Sequence, residues 1–326
     1  MVDARHALAL VVLLPMAGCS SASAHPTCGT PGDGGSVVLV AEGPGAQAIV
    51  VDATNVYWLE TAGPPGGTPG ASPAAPGSGR VLQCGKCNCD HPTVLASNET
   101  FTGSGIAVGA TAVYWTNGDV MRVPIGGGEA VALAVAQTLG PVAVNATDVY
   151  WADNSGGLMK VPVTGGPAVT LMAGTNMAGT NVGAIALDAK NVYFVAGNAV
   201  FAMRLGGGAP KQLAQSANPQ NIVVDSTSVY WTDTPLFQSG TIFKVPIAGG
   251  KPAMLASAIM DPFGLAVDAT SVYWADGNTV MKVPVAGGTS TTFASGDATV
   301  FGVAVDATSV YWTNDVGSLE VMLTPK

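Results

Sequence analysis

The sequence predicts an all-β chain: a seven-bladed β-propeller with four-stranded blades, in which an N-terminal strand closes the last blade. Three observations predict it. A Tyr-Trp or Tyr-Phe pair recurs at Tyr57, Tyr114, Tyr150, Tyr193, Tyr230, Tyr273 and Tyr311. After a longer first interval the spacing is 36 to 43 residues, which accommodates four short strands and their turns. The 43 glycines and 22 prolines punctuate short apolar runs, as turns between strands require.

Taken in chain order, residues 1–18 read as a signal peptide. Arg5 and His6 precede the apolar run Ala7 to Met16, which is too short to span a bilayer. The run ends Met16-Ala17-Gly18-Cys19, similar to the bacterial lipobox, which implies acylation of Cys19 and a membrane anchor through it. Met16 stands where that motif usually has Leu. The alternative is a secretory peptide cleaved near Ala24, which would leave the protein secreted. Ser20 after the cysteine favours the outer membrane. Residues 19–35 form an expected flexible tether, and residues 36–326 the propeller. Val37 to Ala41 sits where a fourth strand should, and the last unit ends Val321-Met322-Leu323 without room for its own. An N-terminal strand pairing there would remove free sheet edges.

The first unit carries two departures. Residues 60–78, Glu60 to Ser78, are rich in Pro, Gly, Ala and Ser and predict a disordered insertion loop between the second and third strands. Cys84, Cys87 and Cys89, with His91 beside them, replace the Gly-Gly hairpin of other units. With Cys28 these make four thiols beyond Cys19, and an oxidising envelope predicts two disulfides. Cys84–Cys89 with Cys28–Cys87 is one arrangement; spacing alone does not fix the pairing. A zinc motif would need two separated ligand pairs, so no metal is expected.

The unit around Tyr273 shows the repeat in full. Gly264 to Asp268 is the inner strand, Ala269-Thr270-Ser271 a turn, and Val272 to Asp276 the second strand. Val280 to Pro284 is the third, Gly287-Gly288 a hairpin, and Phe293 to Ser295 ends the fourth. Adjacent strand residues face opposite sides, so Tyr273 and Trp274 are expected to meet different neighbouring blades. Asp268 can cap its turn through backbone N–H groups. Asp52, Asp188, Asp225 and Asp306 share its slot, with Asn145 and Gly109 in the remaining units.

The fifth unit contains Tyr230-Trp231-Thr232-Asp233, and the repeat resembles the YWTD propellers of lipoprotein receptors. Those have six blades and flanking cysteine-rich modules, which this chain lacks, so their ligand-binding residues do not carry across. The resemblance implies a structural role for the Asp. The Val267 to Trp274 stretch, Val-Asp-Ala-Thr-Ser-Val-Tyr-Trp, is similar to repeat lipoproteins of myxobacteria-like bacteria.

Function classes narrow from composition. A formal charge of −9 argues against nucleic acid, which needs a basic footprint. The three histidines, His6, His25 and His91, lie off the variable loops, so no histidine-based triad or metal centre is expected there, and no cofactor. The loops between second and third strands, and between blades, vary most, and variable loops on a rigid scaffold are where binding resides. The expected ligand-binding rim is Glu60, Asn117, Asp119, Asp153, Asn154, Asp233, Asp276, Asn278, Asn314 and Asp315. Two functions follow. One is a monomeric, non-catalytic binding or scaffold protein of the cell envelope, with a protein or glycan ligand on that face. The other is a carboxylate-dependent glycan hydrolase or lyase, which would need paired acids about 5–10 Å apart. Acids bonded to local backbone would weigh against the second.

Overall fold

The computed structural model describes residues 37–42, 46–60, 79–86, 88–101, 105–138, 140–174, 182–236, 238–260, 262–314 and 318–323. The signal segment, the tether, Cys19, Cys28, Cys87, Asp315 and residues 61–78 lie outside the described residues. The described chain is all strand and turn. Strand β1 (Val37–Glu42) is followed by six antiparallel sheets, each built from four strands consecutive in sequence. The first blade is β2 (Ala46–Val51), β3 (Asn55–Glu60), β4 (Gly79–Gly85) and β5 (Asn88–Glu99). The second is β6 (Ile106–Val108), β7 (Ala112–Thr116), β8 (Gly118–Pro124) and β9 (Val131–Thr138). The third runs β10 (Val142–Val144), β11 (Asp148–Ala152), β12 (Leu158–Pro162) and β13 (Val169–Met172). The fourth is β14 (Val182–Leu187), β15 (Asn191–Ala196), β16 (Ala199–Arg204) and β17 (Lys211–Gln215). The fifth is β18 (Pro219–Val224), β19 (Ser228–Asp233), β20 (Gly240–Pro246) and β21 (Ala253–Ile259). The sixth is β22 (Leu265–Val267), β23 (Ser271–Asp276), β24 (Thr279–Pro284) and β25 (Thr291–Ser295).

The expected set of seven blades with a simple N-terminal closing strand needs correction at the chain ends. Six blades are complete. The remaining sheet is a composite, with β26 (Val300–Val305), β27 (Ser309–Asn314) and β28 (Ser318–Leu323) in order and β1 hydrogen-bonded beside β28. The β1–β28 ladder shifts register between Leu39 and Ala41, and the side chains of both strands lie outside the described residues. The physical reason is that β1 is joined to β28 by no hairpin, so no turn fixes its register.

What holds the sheets to one another is the aromatic pair. Tyr273 packs with Val303, Val305 and Trp312 of the composite sheet, whereas Trp274 packs with Leu255 and Ile259 of the fifth blade. The same division holds around the molecule: Tyr57 meets Trp115, Tyr114 meets Trp151, and Tyr230 meets Trp274 in shared clusters. Tyr311 and Trp58 share the cluster that joins the last sheet to the first blade. Period-2 alternation puts the two rings on opposite sheet faces, so each blade is clamped from both sides. Burying one such ring removes roughly 200 Å² from water, about 5 kcal/mol at 25 cal/mol per Å² before chain entropy is counted.

The turns fall into two sets at opposite ends of the strands. At one end the Asx turns recur: Asp225 Oδ1 accepts Thr227 N–H at 2.6 Å and Ser228 N–H at 2.7 Å. The neighbouring Gly-Gly hairpins of the outer strands bond to them, as Ile247 N–H does to Thr227 O at 2.9 Å. Both glycines of the hairpin take positive φ, 92° at Gly287 and 141° at Gly288, which disfavours any residue with a Cβ. In the first blade a disulfide between Cys84 and Cys89 takes the hairpin's place. Cys87 lies outside the described residues, so the Cys28–Cys87 pairing has no placement.

Candidate functional site: the variable face

At the other end of the strands lie the second-to-third-strand loops and the interblade loops, and the candidate residues belong to this end. Most of their polar atoms are already engaged. Asp153, after β11, accepts Ser155 N–H and Gly157 N–H, both at 2.8 Å, and the Ser155 hydroxyl at 2.6 Å. Asp233, which ends β19, holds the loop arriving from the fourth blade through Ala217 N–H at 3.1 Å and Asn218 N–H at 2.6 Å. Asp276 does the same for the next interface by accepting Met260 N–H at 2.9 Å. Asp119 accepts Ala136 N–H at 3.1 Å, and Asn278 donates to Gly296 O at 2.8 Å. A carboxylate or amide at this end of the second or third strand therefore pins neighbouring backbone whose polar groups lack a ladder partner.

Three of the expected rim residues are buried, Asp233 among them at 6%. Glu60 is buried, 1% exposed, rather than presented to a ligand. Its Oε2 lies 2.7 Å from Arg80 Nη2 on the paired strand β4, while Oε1 has no hydrogen-bond partner among the described residues. Burial pushes its carboxyl above the ordinary value, and Arg80 offsets only part of that. Asn314 is also buried, at 2%, and forms interactions of its own. Asn154 is exposed. Of the described candidates, only Asp233 lines the cleft between the fourth and fifth blades. Among the described residues no three His, Cys, Asp or Glu side chains gather as metal ligands.

Residues that sequence reasoning passed over organise the interblade edges. The buried Glu99, at the end of β5, accepts Trp115 Nε1–H at 3.0 Å and the Asn117 amide. At the interface of the fourth and fifth blades Ser216 Oγ accepts Trp231 Nε1–H at 2.8 Å. The matching indoles of Trp151 and Trp274 are buried with no hydrogen-bond partner among the described residues. A lone Glu ending an outer strand was the available signal for the first; nothing in the spacing marks the serine.

Between the fourth and fifth blades the face opens into a cleft of about 430 Å³ lined by Asn198, Gln215, Ser216, Trp231, Asp233 and Phe243 among others. Trp231 and Phe243 stack with centroids 5.5 Å apart and planes at 21°. Asp233 and Ser216 fix its wall; Asn198 and Gln215 are exposed at its rim.

No family model matches the chain, and no curated protein does. Solved structures do match. A crystal structure of a nidogen/laminin complex aligns with a TM-score of 0.52 at 21% identity, over 63% of this chain and 86% of that one. Virginiamycin B lyase from Staphylococcus aureus aligns with a TM-score of 0.69 at 10% identity, over 89% and 99%. BamB from Moraxella catarrhalis aligns at 0.58 and 14% identity, over 89% and 100%. At these identities the likeness is one of fold, and the fold is a β-propeller.

Proposed function

We propose that this chain is an exported, lipid-anchored propeller of the cell envelope that acts by binding, without catalysis, through its variable face. One observation carries the reading. Asp153, Asp233 and Asp276 each spend their carboxylates on local backbone N–H groups, so the rim supplies rigidly held loops rather than free acid pairs. The Cys84–Cys89 bridge is consistent with an oxidising compartment, and the Met16 to Cys19 motif supplies the anchor. The ligand is a protein or a glycan, the protein is a monomer, and the anchor places it at the outer membrane. Mass spectrometry of the membrane fraction should find Cys19 acylated and Cys19→Ser protein released to the soluble fraction; an unmodified, soluble wild-type chain overturns the anchor. Affinity capture with the intact chain and with residues 61–78 deleted tests the face.

The alternative, a carboxylate-dependent glycan hydrolase or lyase, is favoured by Glu60 alone. Burial raises its carboxyl above the ordinary value, the direction in which a general acid is tuned. Turnover of a polysaccharide that Glu60→Gln abolishes would establish that reading.

A further inference from the structure

We infer that the cleft between the fourth and fifth blades is a binding site for a neutral saccharide. The inference rests on the binding reading above and names the ligand class for one part of that face. The cleft's volume of about 430 Å³ falls within the range of small-molecule sites, roughly 300–1,000 Å³. Its chemistry is specific. Phe243, half-buried in β20 and stacked on Trp231, offers a ring backed by a second ring, against which the C–H face of a pyranose packs. Asn198 and Gln215 project amides that each donate and accept, matching vicinal hydroxyls, which do the same. Asp233 has acceptor capacity left after its two backbone bonds. The Ser216 hydroxyl, an acceptor for Trp231 Nε1–H, retains its own proton to donate.

Charge narrows the class further. Among the described residues lining the cleft there is no Lys, Arg or His to pair with a phosphate or carboxylate. Asp233 is its single acid, so a cation would find no second carboxylate there. A neutral polyol is the ligand that uses every group present. The wall is also preorganised: Ser216 N–H bonds to Asn198 O at 2.9 Å, and Asn218 donates its amide to Thr234 O at 2.8 Å. Ordering the site on binding therefore costs little.

The test is saturation-transfer NMR on the full mature domain with glucose, galactose, N-acetylglucosamine and maltose as probes. At least one sugar should receive saturation from the aromatic protons of the wild-type protein. The double variant Asn198→Ala/Gln215→Ala, which alters two exposed side chains, should bind that sugar about tenfold or more weakly, as the loss of two hydrogen bonds implies. Its thermal midpoint should match wild type, and Phe243→Leu should weaken binding independently. Absence of transfer to all four sugars, or equal affinity in the double variant, overturns the inference. If the sugars fail while affinity capture through the variable face succeeds, only the saccharide site falls; if capture fails as well, the binding reading falls with it.

Discussion

At the scale of the residue, the tyrosine of each repeat has a second role beside packing. Tyr57, Tyr193, Tyr230 and Tyr311 donate their hydroxyls to Asp52, Asp188, Asp225 and Asp306, at 2.7, 2.6, 2.8 and 2.8 Å. The aspartate thus caps its turn with one oxygen and holds the next strand with the other. Sequence reasoning reached the cap, because Asx turns have a local signature. It missed the tyrosine bond, which depends on how the turn folds the second strand back over the first. All seven tyrosines of the chain sit in the motif, and burial, then the neighbouring carboxylate, pushes those of Tyr150 and Tyr273 up to about 12. A raised folded value means that stability from these groups is whole below the unfolded pKa of about 10 and is lost as pH rises through the folded one. Ultraviolet titration at 295 nm should therefore show little tyrosinate in the folded protein at pH 10, and half-ionisation near there in guanidinium. The indoles give a second prediction. Trp231→Phe strands Ser216, whereas Trp151→Phe removes an N–H that has no partner among the described residues. Equilibrium unfolding should find the first more destabilising by about 1 kcal/mol.

At the scale of the element, the hairpins and inner strands were legible because glycine pairs and apolar runs mark them directly. Register was not. The inner ladders shift at Pro219/Ile222 and Val300/Val303, and Thr232 and Thr313 hydroxyls accept the displaced Asn221 and Gly302 N–H groups at 3.1 and 3.0 Å. In two of the three Tyr-Trp-Thr segments the threonine thus patches an irregular ladder, whereas Thr116 donates its hydroxyl to Gly140 O at 2.9 Å; no periodicity announces either role. The cysteine hairpin shows a further element-scale device. It carries Lys86, whose ammonium pairs with Asp306 at 2.5 Å and lies 5.5 Å from the Tyr311 ring centre. This ion pair ties the first blade to the last sheet. Burial pushes the Asp306 carboxyl up, but the Lys86 bond and the Thr308 N–H outweigh it and bring it to about 2. Because the folded value is depressed, the contribution is complete above the unfolded pKa of about 3.9 and disappears as pH falls toward 2. Lys86→Met should move the acid-unfolding midpoint, followed by circular dichroism, to higher pH; an unchanged midpoint would leave the clasp without energetic weight.

For the whole molecule, the repeat disclosed the propeller, while the chemistry of its variable face stayed hidden. A sequence places acids on loops but does not reveal which backbone N–H groups those loops leave unpaired. Asp153 and Asp276 look like ligand groups until the turns around them are seen to need them. Glu60 looks like a rim residue until β4 brings Arg80 beside it. On the proposed reading these rim acids build the face rather than perform its chemistry. The thermal midpoints of Asp153→Ala and Asp276→Ala test it most directly. Losing the acceptor in these bonds, part-buried at Gly157 and exposed at Met260, should cost about 0.5–1.5 kcal/mol, lowering each midpoint by at least about 1 °C. Midpoints that stay level or rise, the usual result of removing a strained functional group, would contradict it.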